Sequence, residues 1–471
     1  MLRRTLDPAS GPGRPPAPAE TGAGDEADGL PQPRRLWAIA AISFGTALLV
    51  LDTGIANVAL PTIARDLGVD NSAVTNVVTV YQLVLVMVLL PFASLGNKIG
   101  HRRFYQLGQT LFMASSAMCL FAGDLPVLLA LRGVQALGAG MALSVSTAML
   151  REIYPAARLG TAMGVNSVIV ASSAALAPTL GGYIVGHMAW QWVFVAGAPL
   201  AAVSLLLGRA LPDPRPRPGP VEWVSGLWSA ATALLLIGGV QVATHGDLPA
   251  GLALIALGAV SAWRLVRRER QRAAPVVPVD LLAQPVLGLS ALAAVACFAA
   301  SGALMLALPF RLEAVFGYAP QTVGLVLLPF PATLLVVSPL AGWLSDRVEP
   351  TRMGVAGMTI AVAGLLLLAF MPLSAGQPGI AWRLSLTALG FGLFLAPNSR
   401  LLIGRAPRDR AAAAGGLLST ARLLGQTLGA VALGILLAAG TGIGPAPLLF
   451  SCALAAVAAL CSLARFRTTR Q

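Results

Sequence analysis

Charge is what this sequence of 471 residues has least of: Asp, Glu, Lys and Arg together make up 11% of it, where a soluble domain carries about 25%. So little charge cannot cover a globule with solvated side chains. That argues against a soluble enzyme, a disordered protein and a nucleic-acid binder alike. Acidic residues are the scarcer sign, 19 against 32 Lys and Arg, which leaves a net charge of +13. Cysteine is sparse and unpaired in spacing: Cys119, Cys297, Cys452 and Cys461 sit singly in apolar stretches, which excludes a disulfide framework or a thiolate metal site. They read as small packing residues. Three histidines, His101, His187 and His245, fall in separate polar connections, so no metal is expected. Neither a phosphate-binding loop of the Walker type nor a His/Asp/Ser constellation occurs. No enzyme, no cofactor and no ATP-driven pump are therefore expected.

What is abundant is apolar sequence: 56% of residues are hydrophobic, with a mean hydropathy of +0.78. Residues 1–35 are the exception, rich in Pro, Gly, Ala and charge without an apolar period. They are expected to form a disordered tail, with no removable signal peptide and the first apolar segment as an uncleaved anchor. From Trp37 onward, fourteen long apolar segments follow, near 37–60, 74–95, 104–122, 126–150, 161–186, 192–211, 223–243, 248–266, 287–310, 322–344, 353–371, 380–403, 412–439 and 447–464. Each approaches the ~20 residues a membrane-spanning helix needs. Barrel strands would be about 10 residues long with alternating polarity, which these runs are not. An all-α integral membrane protein follows.

Basic residues set the expected orientation. With the N-terminus in the cytoplasm, 27 of the 32 Lys and Arg fall in the inner tails and loops and only Arg65 in an outer one, the remaining four lying in or at the rim of segments. One miscounted span would swap every later loop, so the asymmetry supports fourteen spans with both ends inside. It also accounts for the high pI without nucleic acid. The connection ASLGNKIGHRR at 93–103 recurs as GWLSDRVEPTR at 342–352, eight segments later. A six-plus-six repeat with two segments inserted gives that offset. The expected units are 36–212, a linker and two-helix insert at 213–285, 286–466, and a short tail at 467–471.

Several stretches together resemble the major facilitator superfamily, in its 14-spanner drug:proton antiporter branch. They are LDTGIANVALPTI in the first segment, the 93–103 loop, LRGVQALGAG in the fourth, ALAPTLGG in the fifth, WQWVF at 190–194, and GGLLSTARLLGQTLG in the thirteenth. The resemblance covers residues 37–466 and implies two pseudo-symmetric six-helix bundles. It also implies gating residues: Asn97, Lys98, Gly100, Arg102 and Arg103 in the first loop, Gly342, Asp346 and Arg347 in its second copy, and Pro178, Gly181 and Gly182 in the fifth segment. The chain departs from the family pattern at Ala93, Asn97, His101, Ala136 and Ala177. Asn97 stands where the family usually has Asp, so a latch there would lose the charge-assisted share of its hydrogen bond.

Ionisable groups inside a membrane are costly and default to function. Asp52, Arg132 and Arg422 lie well within segments. Asp52 lies about 15 residues, or ~22 Å, from the inner face, and Arg132 about six residues, or ~9 Å, from the outer face, which brings them to similar depth in a core about 30 Å thick. Asp52 is therefore expected to pair with Arg132, Gln135 orienting the guanidinium. Burial favours the neutral acid and the cation favours the carboxylate, so a change of shape moves a proton. A static pair that merely joins two helices is the other reading. The candidate substrate cavity takes in Asn57, Tyr81, Gln82, Asn166, Asn398 and Arg422. For Arg422, packing against backbone carbonyls and Asn398 is preferred to substrate contact. Arg311 and Glu313 are expected to pair at an outer rim, and Arg383 to snorkel. The function expected is proton-coupled export of small hydrophobic or amphiphilic compounds by a monomer in the cytoplasmic membrane. Import or facilitated diffusion of a small organic solute, and a non-transporting membrane protein, are the alternatives.

Overall fold

The computed structural model describes residues 30–154, 159–212, 223–244, 247–272, 279–345, 347–406 and 411–468. Regular structure among them is helical throughout: α1 Arg34–Leu67, α2 Asn71–Val74, α3 Asn76–Ile99, α4 His101–Met118, α5 Leu125–Ile153, α6 Leu159–His187, α7 Trp192–Val195, α8 Ala198–Leu207, α9 Trp223–Thr244, α10 Leu248–Glu269, α11 Val279–Leu282, α12 Pro285–Ala314, α13 Pro320–Leu327, α14 Pro329–Leu344, α15 Pro350–Ala369, α16 Gln377–Gly404, α17 Ala411–Ala438 and α18 Ala446–Thr468. Twelve passages among the described residues are long and apolar enough to cross a membrane; α4 and α6 are not among them. In its first half α4 carries His101, Arg102, Arg103, Gln106 and Gln109, which dilutes its apolarity. The structure thus bears twelve spans of the expected fourteen on length and composition.

Local signals explain the element ends. At the start of α5, Asp124 accepts from the Val127 N–H at 2.8 Å with Pro126 in the first turn, satisfying an orphan donor of the helix. At the end of α1, Gly68 turns the chain with φ +62° and returns its N–H to the last carbonyls, a backbone shape that only glycine adopts cheaply. Connections are mostly a few residues long, so successive helices run antiparallel. One end of the molecule gathers Arg34, Ile153, Ala210 and Arg465, and is called here the terminal end. Arg34 donates to Ala210 O at 3.0 Å there, and the Leu30 N–H to Ile153 O at 3.1 Å. Leu30, Arg34 and Arg35, at the end of the expected disordered tail, are therefore hydrogen-bonded to the rest of the chain or to each other, while 1–29 lie outside the described residues.

α1 packs on α5, α6 and α8, and α3 and α4 pack on α5. Further along, α12 packs on α17 and α18, α15 on α16 and α18, and α14 on α16. The pair α9 and α10 stands beside α3, held together by Trp228 Nε1 donating to Ser261 Oγ at 2.8 Å and Ser225 Oγ donating to Glu269 Oε1 at 2.7 Å.

The two sets of helices meet in a seam toward the other, far end. α6 lies against α13 there: a methyl added at Gly182 would sit 2.5 Å from the Pro320 carbonyl oxygen, and one added at Gly324 would strike Pro178 O. On α1, Arg65 Nη2 lies 3.1 Å from Glu313 Oε2 of α12. Arg311 instead donates to Ala369 O at 3.1 Å. The expected Arg311–Glu313 rim pair is corrected accordingly. Residues two apart on a helix point to different faces, and each of these finds its own neighbour.

Overpacking at this seam costs about 1–3 kcal/mol. Gly182→Val is expected to lower the midpoint of thermal unfolding of the purified protein by several degrees. Gly342→Val, where an added methyl meets nothing within 4 Å, is expected to leave it unchanged. Equal midpoints for the two variants would contradict the close approach.

Candidate functional site

Asp52 sits midway along α1 and Arg132 two turns into α5, whose start is fixed by the Asp124 cap. Both are buried, at 3% and 1% exposure. Arg132 Nη1 donates to Asp52 Oδ2 at 2.9 Å and to Oδ1 at 3.1 Å. The same nitrogen donates to Gln135 Oε1, one turn along α5. The Gln135 amide donates to Ser116 Oγ of α4 at 2.7 Å and to Asp52 Oδ1 at 3.3 Å. Arg132 Nε donates to the Val77 carbonyl of α3 at 3.4 Å. Two aromatic rings complete the cage: Tyr81 with its centroid 4.1 Å from the guanidinium carbon, and Phe194 at 5.1 Å. Within about 6 Å a ring face attracts a guanidinium. Four helices thus converge on one buried charge pair, and the pairing of Asp52, Arg132 and Gln135 expected from depth alone is present.

The candidate cavity residues divide. Tyr81 is buried at 2% and belongs to the cage. Gln82 beside it is buried, and its Oε1, like Asn57 Oδ1 on α1, has no hydrogen-bond partner among the described residues. Asn166 lies on α6 but its side chain is outside the described residues. Asn398 corrects the expectation twice. It is buried rather than cavity-lining, and its partner is not Arg422. Arg465 Nη1 donates to Asn398 Oδ1 at 2.6 Å and to Ser290 Oγ at 2.8 Å, and the Asn398 amide donates to Ser290 O at 3.1 Å. Arg465, one residue past the last expected segment, is buried at 1%. This cluster ties α12, α16 and α18 together at the terminal end. No sequence signal marked it, because a charge at the edge of an apolar run reads as a loop residue.

Among the gating candidates, Gly100 breaks the chain between α3 and α4 with φ +102°. Asn97 Oδ1 lies 2.8 Å from His101 Nε2, while His101 Nδ1 lies 3.1 Å from Glu152 Oε1 of α5. The two departures from the family pattern therefore contact each other. Lys98 and Arg103 are exposed and Arg102 half-buried. In the second copy, Gly342 faces open space, Arg347 stacks on Trp343 with 4.0 Å to the ring centroid, and Asp346 lies outside the described residues. Nearby, the Arg400 guanidinium donates to Ser345 O. Helix α6 runs unbroken through Pro178, with Gly181 close to Ile55 of α1 and Gly182 close to Pro320. The three gating residues of α6 thus lie where it meets α1 and the seam. The four cysteines are free, and among the described residues no group of three His, Cys, Asp or Glu side chains forms a metal site.

Removing one partner of a buried ion pair typically costs about 3–5 kcal/mol. Asp52→Asn and Arg132→Gln are each expected to destabilise the purified protein on that scale, and the double variant by clearly less than their sum. Additive losses in thermal unfolding would show that the two groups do not depend on each other.

A family model described as Major Facilitator Superfamily matches residues 42–430 and again 290–471. The "Uncharacterized transporter YebQ" of Escherichia coli (strain K12) is 39% identical over 441 residues, covering 93% of this chain and 96% of that protein. The "Riboflavin transporter RibZ" of Clostridioides difficile (strain 630) is 29% identical over 82% of this chain and 85% of its own. The "Multidrug resistance protein Stp" of Mycobacterium tuberculosis (strain ATCC 25618 / H37Rv) is 30% identical over 86% and 76%. In fold, the chain superposes on a bacterial homologue of the human lysosomal transporter Spinster, solved inward-facing and unoccupied, with a TM-score of 0.68, 17% identity and coverage of 92% of this chain and 98% of that one.

Proposed function

We propose that this chain, which belongs to the Major Facilitator Superfamily, is a proton-coupled antiporter that exports small hydrophobic or amphiphilic compounds. As a member it is a multi-pass membrane transporter and not an enzyme. The finer reading rests chiefly on one observation: a carboxylate on α1 whose charge is held by Arg132 and Gln135 of α5 inside the bundle. Proton uptake by Asp52 cancels the charge that holds α5 to α1, and substrate entry that restores the pair expels the proton. α1 carries the consequence onward, since its far end bears Arg65 on Glu313 and its middle packs on Gly181. A change in how α1 is held therefore reaches the seam between the helix sets. The proton gradient is the energy source, with no cofactor.

Fourteen spans, with units at 36–212 and 286–466 moving about the seam, both termini in the cytoplasm and a monomeric state, complete the proposal. The printed name of the M. tuberculosis relative supports the export of drugs. That of the C. difficile relative favours a second reading, the movement of a small organic solute without obligatory export.

In proteoliposomes with an imposed pH gradient, the parent protein is expected to accumulate members of a compound panel against their gradient. Asp52→Asn is expected to fall to the rate of empty vesicles in that assay while retaining counterflow. Survival of gradient-driven accumulation in Asp52→Asn removes Asp52 from coupling, and accumulation in the opposite direction favours the second reading.

A further inference from the structure

Arg422 lies eleven residues into the 28-residue helix α17, about 16 Å along it at 1.5 Å per residue, within a span. The neighbours of α17 fix where Arg422 points. Gly425 and Gly429 lie against the backbone of α12, at Val295 O and Ala299 O. Leu423 packs with Tyr81 and Leu85 of α3, and Gly434 lies 2.9 Å from Thr75 Oγ1 as a methyl would measure it. At about 100° per residue, Arg422 lies at the border of the α12 face, next to Gln426, whose Cα is 3.3 Å from where a methyl on Gly302 of α12 would sit. Because α12 and α3 belong to different helix sets, that border lies between the sets. Leu428, on the opposite side, is 42% exposed and marks the outer surface.

Both Arg422 and Gln426 are half-buried, and among the described residues neither makes a hydrogen bond, ion pair or ring contact. Arg132 and Arg465 differ: Arg132 donates to Asp52, Gln135 and the Val77 carbonyl, and Arg465 to Asn398, Ser290 and Ser462. The Asp52 charge is already taken by Arg132. Among the described residues Arg422 is thus a guanidinium within a span that no group compensates, with an amide one turn away. A lone cation at that depth is costly until an anion joins it. A planar five-donor guanidinium matches a carboxylate in two-point geometry.

We infer that Arg422, with Gln426 beside it, is the anion-binding element of the substrate site, so that the transported compounds include amphiphilic organic carboxylates. The carboxylate takes two hydrogen bonds from Arg422 and one from the Gln426 amide. This rests on the transport reading above and narrows it to a substrate class: one negative charge on a hydrophobic frame.

The test is equilibrium binding by calorimetry to the purified full-length protein in nanodiscs, with no gradient, using 1-naphthoate, 1-naphthamide and 1-naphthylmethylammonium against protein-free nanodiscs. The parent is expected to bind naphthoate about tenfold more tightly than the amide, as a charge-assisted pair to an otherwise unpaired guanidinium implies, and the ammonium least. Arg422→Gln is expected to erase the naphthoate preference while still binding the amide, and Arg422→Lys to retain part of it. Equal binding of the three probes, no binding of naphthoate, or a preference that survives in Arg422→Gln overturns the inference. The parent comparison needs no variant, so a misfolded Arg422→Gln leaves the test intact. Because no gradient is applied, failure of proton coupling and failure of carboxylate recognition are read separately.

Discussion

Two opposite charges held where water cannot reach them set the terms for the rest of this molecule. Buried charges of opposite sign are tolerable when they are paired with each other and hydrogen-bonded to their surroundings. The structure supplies those partners from four helices: carboxylate from α1, guanidinium and amide from α5, hydroxyl from α4, carbonyl from α3. The helix registers of the first bundle are fixed around this point.

The seam gives that local balance a reach. α1 contributes to both, holding Asp52 at its middle and Arg65 at its far end. Beside it, α6 brings its glycines against α1 on one side and α13 on the other. Rigid helices packed through small residues transmit rotation better than bend, since backbones in contact leave no slack for side chains to absorb. The Arg465 cluster at the terminal end plays the complementary part, tying α12, α16 and α18 together.

Much of this was legible in the sequence because hydrocarbon makes charge conspicuous. Asp52, Arg132 and Gln135 stood out against apolar text, and helix rise alone put the first two at matching depth. Segment ends carry local signals that run length alone did not use: Gly68, Asp124 and the prolines that open α12 to α16. Pairings made across the chain were not. Arg65 with Glu313, and Arg465 with Asn398 and Ser290, join residues more than sixty positions apart, and each charge sits near a segment end where solvation is the default reading. Arg422 was legible as a buried charge but not as an unpartnered one, since only the packing of α17 on α12 and α3 shows which way it points. Among the described residues twelve of the fourteen expected spans meet the measure of length and apolarity, and α4 falls short of it because polarity enters its first half.

The central claim is that Asp52 changes its protonation in exchange for substrate. Infrared difference spectroscopy of the carboxyl group, taken on the parent protein with Asp52→Asn as the blank, reads this most directly. On acidification the Asp52 signal is expected to pass from carboxylate to carboxylic acid, and addition of a transported compound at fixed pH to reverse it with release of a proton to the medium. A signal that stays carboxylate throughout, untouched by acid or compound, would mean that the pair is a fixed fastening between α1 and α5.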